Sequence, residues 1–86
     1  MTDAPLVTLR MFARAREVAG TGSDQVPGRT VGEVLDAATA RYGRAFAEVL
    51  ACSRVWVDGD EPADGLATPV RPGAEVAVLP PVSGGA

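Results

Sequence analysis

Apolar and polar positions alternate with a period of two toward both ends of the chain and recur with a helical period in its middle. Leu6-Val7-Thr8-Leu9-Arg10-Met11-Phe12 reads as a strand. Val7, Leu9 and Met11 share one face, while Thr8, Arg10 and Phe12 share the other. The first set is the core face, so Phe12 is expected on a largely polar, exposed face. Ala13 to Gly20 reads as a short helical turn ended by glycine. Asp24 to Pro27 reads as a second strand forming a hairpin with the first. Gly20-Thr21-Gly22 has no third glycine and no helix directly after it, so it is a turn and not a nucleotide loop.

Thr30-Val31-Gly32-Glu33 is a capping box, with Thr at the N-cap and Glu three residues on. The helix it opens places Val31, Val34, Leu35, Ala38 and Tyr42 on one face, and Gly43 is its natural stop. Residues 44–52 fit either a second short helix or an irregular packed loop. Arg54 to Asp58 reads as a strand, with Val55 and Val57 on one face and Trp56 on the other, and Asp58-Gly59 is a turn signal. Residues 60–73 are turn-rich. Ala74 to Leu79 is the last strand, with Val76 and Val78 opposite Ala77 and Leu79. This order predicts an α+β domain, a mixed sheet packed on one main helix. Phe12, Trp56 and Leu79 all fall opposite the core faces. Neighbouring strands would gather them into an apolar patch suited to a partner; the alternative is burial of one or more under the 60–73 loop.

The chain then meets Pro80-Pro81, which lack N–H groups and end the strand. Val82, Ser83, Gly84, Gly85 and Ala86 follow, uncharged and mostly without bulk. Residues 80–86 are expected to project as a flexible tail from a single domain spanning 1–86. Glycines at its tip can thread a channel that larger residues would block. That points to use of the terminus itself, by activation of its carboxylate. The plain alternative is a frayed end of small residues.

Composition narrows the chemistry. Eighty-six residues, 47% hydrophobic with net charge −3, fit one folded domain, burying roughly 60% of its unfolded surface. There is no histidine, and all eight cations are arginine. The commonest acid/base and metal-binding side chain is therefore missing, as is any side-chain amine for a Schiff base or isopeptide bond. An acidic balance with scattered arginines argues against nucleic acid as a partner. No apolar run reaches membrane-span length and no signal-peptide pattern opens the chain, so a membrane partner is not expected and a cytoplasmic location is. A single cysteine, Cys52, agrees with a reducing compartment. With no histidine to activate it, Cys52 is expected to pack, buried or half-buried. Asp58, Asp60, Glu61 and Asp64 form an acidic turn; Pro62 and Ala63 break the calcium-loop pattern, leaving a solvated turn or a docking patch for a basic partner. No bound cofactor, metal site or self-contained active site is expected.

The run Gly73-Ala74-Glu75-Val76-Ala77-Val78-Leu79-Pro80-Pro81-Val82-Ser83-Gly84-Gly85 closely resembles the small subunit of molybdopterin synthase, among the β-grasp, ubiquitin-like sulfur carriers. Leu9-Arg10-Met11-Phe12-Ala13-Arg14-Ala15-Arg16-Glu17 resembles that family's first strand and turn, and Thr30-Val31-Gly32-Glu33-Val34-Leu35 the start of its helix. The resemblance covers nearly the whole chain and implies a β-grasp fold and a mechanism. An ATP-dependent, E1-like adenylating enzyme activates the C-terminal glycine as a transient acyl-adenylate. A sulfur donor turns it into a thiocarboxylate, and the tail enters the large subunit of molybdopterin synthase. There the sulfur passes to cyclic pyranopterin monophosphate. Carried over, Gly85 is the thiocarboxylated residue and Gly84 its channel-fitting neighbour. Pro80, Pro81 and Val82 form the stiff stem and, with Ser83, are expected to bind the partner alongside Phe12 and Leu79, which match interface positions. Ala86 departs from the family's Gly-Gly end. Its removal by a maturation protease is the leading expectation; activation of Ala86 itself or a blocked tail are the alternatives. Carriers for cysteine, thiamin or thio-natural products, and a non-carrier β-grasp binding module, are the other readings.

Overall fold

The alternation read in the first strand is reproduced in its burial: Val7, Leu9 and Met11 are 0–1% exposed. The computed structural model describes residues 4–81, so the expectations on Val82, Ser83, Gly84, Gly85 and Ala86 lie outside the described residues. Along the chain run β1 (Leu6–Met11), α1 (Ala13–Ala19), β2 (Ser23–Pro27), α2 (Val31–Tyr42), α3 (Arg44–Ala51), β3 (Arg54–Val57), a 3₁₀ turn (Gly65–Ala67) and β4 (Glu75–Leu79). The strands form one four-stranded sheet in the order β2-β1-β4-β3. β1 and β2 make the expected antiparallel hairpin, with Leu6 opposite Pro27 and Arg10 opposite Ser23. β1 pairs with β4 in parallel and β3 with β4 antiparallel. A parallel pair needs a crossover, and the segment holding α2, α3 and β3 supplies it.

Helices cover one face of this sheet. Val7, Leu9, Met11, Val26, Val76 and Val78 meet Val31, Val34, Leu35 and Ala38 of α2 in one core. That core is wider than a sheet on one helix. α1 contributes Ala15, and α3 contributes Phe46, which is fully buried. Residues 44–51 are thus helical, and the Phe46 ring lies 5.3 Å from that of Tyr42. Burying a side chain of this kind stabilises the fold by about 1.5–3 kcal/mol.

The ends of α2 are fixed by polar contacts. Glu33 N–H donates to Thr30 Oγ1 at 3.1 Å, as the capping box requires, while Glu33 Oε1 accepts from Arg29 N–H at 2.9 Å, one residue before the cap. At the other end, Tyr42 Oη and Arg41 Nη1 both donate to Asp24 Oδ2, the latter at 2.7 Å, tying α2 to β2. The Tyr42 hydroxyl, with Arg41 second, holds the Asp24 carboxyl below its ordinary range. Burial, then the adjacent Asp24, pushes the Tyr42 phenol up. At the other edge of the sheet, Asp58 (φ 50°) and Gly59 (φ 87°) both take the left-handed conformation that closes a tight hairpin. Among the described residues, no helix is long and apolar enough to cross a membrane.

Candidate functional site

β4 is an interior strand, and its last residue, Leu79, leads straight into Pro80 and Pro81. The stem therefore starts from the middle of the sheet, where both flanking strands fix its origin. The outer face around this exit follows from the register. Arg10 stands beside Ala77, and Ala77 beside Trp56; Arg54 stands beside Leu79. Phe12, one residue past β1, falls beside Leu79. Its N–H donates to Val78 O at 3.3 Å, which holds it there.

Phe12, Trp56 and Leu79 thus lie on one face, as the strand periodicity predicts. None of them joins the hydrophobic side chains packed against the core. Phe12 is 39% exposed, and Trp56 and Leu79 are half-buried. Trp56 is diagonal to Leu79 across the β3–β4 pair, close enough for a long aromatic side chain to extend the patch. Ala77 between them keeps the surface low.

Two neighbours that were not singled out from the sequence shape this patch. The Arg10 guanidinium lies 5.5 Å from the centroid of the Phe12 ring and 3.1 Å from Glu75 Oε2. A cation over the ring and a carboxylate behind it restrict where Phe12 can point. Ala13 carries a φ of 51°, rare for a residue with a Cβ, and this sharp bend turns the chain from β1 into α1 directly after Phe12. The alternation of residue types shows neither feature, because both are contacts across strands or backbone angles.

The opposite side of the stem faces a cavity of about 320 Å³ lined by Arg14, Glu48, Val49, Cys52, Pro80 and Pro81. Pro80 is half-buried and Pro81 exposed. Cys52 corrects an expectation, since it is exposed and not packed. α3 ends at Ala51, and Cys52 is its C-cap, past the turn where Val49 and Leu50 pack on the core. The acidic turn is partly structural: Asp58 Oδ1 accepts from Glu75 N–H at 2.9 Å, and Glu61 lies 3.9 Å from Arg54. Among the described residues, no cluster of side chains could hold a metal ion.

A four-stranded mixed sheet wrapped on a helix, with a proline-stiffened C-terminal exit beside an apolar patch, defines the class: a small β-grasp, ubiquitin-like domain. The ThiS family model matches residues 9–85, and the chain belongs to that family. Solved structures agree with the fold. The solution structure of small archaeal modifier protein 1 from Methanosarcina acetivorans is 26% identical and has a TM-score of 0.86, over 95% of this chain and 98% of that one. A Pyrococcus furiosus protein assigned as subunit 1 of a molybdopterin converting factor is 23% identical with a TM-score of 0.79, over 92% of this chain and all of that one. A chain of the Amycolatopsis orientalis BexX/CysO complex is 24% identical with a TM-score of 0.77, over 90% of this chain and 97% of that one. No curated protein sequence matches the chain. This protein is thus a sulfur carrier or ubiquitin-like modifier of the ThiS family.

Proposed function

We propose that this protein is the sulfur carrier of molybdopterin synthesis, working from the carboxylate of Gly85 after a protease removes Ala86. The observation that carries the reading is the ThiS-family match: it runs through the Pro80-Pro81-Val82-Ser83-Gly84-Gly85 stem and ends at residue 85, before Ala86. The likeness to a molybdopterin converting factor subunit adds support for the recipient.

The chemistry suits a chain with neither histidine nor lysine. A carboxylate is a poor electrophile until one oxygen becomes a good leaving group. The Gly85 carboxylate oxygen attacks the α-phosphorus of ATP on the adenylating enzyme and displaces pyrophosphate. Hydrosulfide from the sulfur donor then attacks the acyl carbon and displaces AMP, leaving a thiocarboxylate on the protein. That sulfur is handed to cyclic pyranopterin monophosphate in the large subunit of molybdopterin synthase. In this scheme Phe12, Leu79 and Trp56 seat the carrier on each partner, and Pro80 and Pro81 hold the stem away from the sheet. The bases and cations of every step come from the partners.

Reconstitution tests this reading. The chain ending at Gly85 is incubated with the adenylating enzyme, ATP and a sulfide source, then with the large subunit and cyclic pyranopterin monophosphate. Molybdopterin is expected, each dithiolene consuming the sulfur of two carriers, with little from the chain ending at Ala86. Thiocarboxylate formation without molybdopterin would move the recipient to another pathway, such as cysteine synthesis. Absence of any thiocarboxylate would overturn the carrier reading.

A further inference from the structure

On the helical side of the domain, a second cavity of about 370 Å³ opens between the start of α2, the end of α3, β3 and the 3₁₀ turn. Leu35, Leu50, Val55 and Leu66 form its apolar wall. Val55 is on the inner face of β3, opposite Trp56, so this groove is separate from the patch around Phe12 and Leu79. Leu66 is 64% exposed, more than any other large hydrophobic residue described.

Leu66 is also held in place. Asp64 N–H donates to Thr68 Oγ1 at 2.8 Å, Ala67 N–H to Asp64 O at 3.1 Å, and Thr68 N–H to Gly65 O at 3.2 Å. The turn lies directly on α2: a Cβ on Gly32 would sit 3.2 Å from Leu66 O and 3.4 Å from Leu66 Cβ. An exposed leucine on a fixed backbone loses little freedom when a partner covers it.

The charged part of the groove's lining is acidic. Asp36 is the charged residue that lines it, and no arginine does. Asp36 is exposed, and among the described residues its carboxylate makes no hydrogen bond or ion pair. A free carboxylate beside an apolar wall draws cations and repels acidic segments, as does the net charge of −3.

We propose that this groove is a second docking surface, which takes a segment of a partner protein presenting an apolar side chain flanked by lysine or arginine. Being on the helical side, it leaves the sheet face and the C-terminal stem free, so the domain can be held by one protein while it serves another. The inference does not depend on which pathway receives the sulfur.

The test is an NMR titration of the full chain with a synthetic amphipathic peptide of leucine and arginine. The control peptide keeps every leucine and replaces each arginine with glutamate. The arginine peptide is expected to shift the amides of Gly32, Asp36, Leu50, Ala51, Val55 and Leu66, and the glutamate peptide is not. Leu66→Ala is expected to weaken binding about tenfold and Asp36→Asn about two- to fivefold, with Phe12→Ala without effect. Both groove side chains are exposed, and unchanged thermal melts would show that the variants fold. Equal binding of the two peptides, shifts centred on Phe12 and Trp56, no binding at millimolar peptide, or indifference to Leu66→Ala would each overturn the proposal. So would concentration-dependent dimerisation abolished by Leu66→Ala, because the occupant would then be a second copy of the chain.

Discussion

Phe12 illustrates how a single residue is both placed and limited by its neighbours. Its main chain is fixed by the bond to Val78 O and its ring by Arg10. Replacing it with alanine removes no core packing. Phe12→Ala is expected to lower affinity for the adenylating enzyme at least tenfold, as for a central aromatic anchor, while the melting temperature moves by less than about 8 °C. Isothermal titration and a thermal melt on the same sample decide this. Ala13, directly after it, has its left-handed angle without a glycine's freedom. Ala13→Gly removes a strain of about 1–2 kcal/mol against a glycine entropy cost of about 0.5–1 kcal/mol. A gain of up to about 1.5 kcal/mol in urea unfolding is the expected outcome. Strand alternation alone places Phe12, Trp56 and Leu79 on the outer face, because a period of two is a local property. The packing expected of Cys52 rests instead on the missing histidine, and it fails because the burial of a residue at a helix end depends on where the helix stops.

At the scale of elements, the capping box and the apolar stripe make α2 legible, and the β1–β2 hairpin follows from two short runs around a turn. α3 is harder to see. Phe46, Val49 and Leu50 in an alanine-rich stretch fit a short helix or a packed loop equally well. Only packing against α1 and α2, with Phe46 reaching the shared core, makes the helix the better way to bury Phe46. Phe46→Ala is expected to cost about 3–5 kcal/mol, a large part of the stability of a small domain, in equilibrium urea unfolding. The clamp between α2 and β2 sets a pH dependence. The Asp24 carboxyl titrates lower in the fold than its ordinary value of 3.8, so its contribution is present above that pH and is lost as pH falls through the folded value. The Tyr42 phenol titrates above its ordinary 10.0, so its contribution is present below that pH and is lost as pH rises through the raised value. Tyr42→Phe is therefore expected to shift the acid unfolding midpoint upward and to flatten the alkaline loss. Thermal melts across pH for the two proteins measure both effects.

The whole molecule separates its surfaces by layer. The sheet's outer face carries the Phe12, Trp56 and Leu79 patch, the interior strand β4 delivers the proline stem, and the helical side holds the Leu66 groove. The mixed-sheet architecture was readable from the order of elements, and the family resemblance from the stem. The two cavities were not, because each is assembled from residues far apart in the chain: Arg14 with Pro80 in one, Gly32 with Leu66 in the other. The central claim is that Gly85 carries a sulfur. Its most direct test is the intact mass of the protein purified from its native cells without reductant or alkylating agent. The account predicts a species lighter by one alanine residue and heavier by the difference between sulfur and oxygen. A population consisting only of the full-length, unmodified chain, even after incubation with the adenylating enzyme, ATP and a sulfur donor, would contradict it.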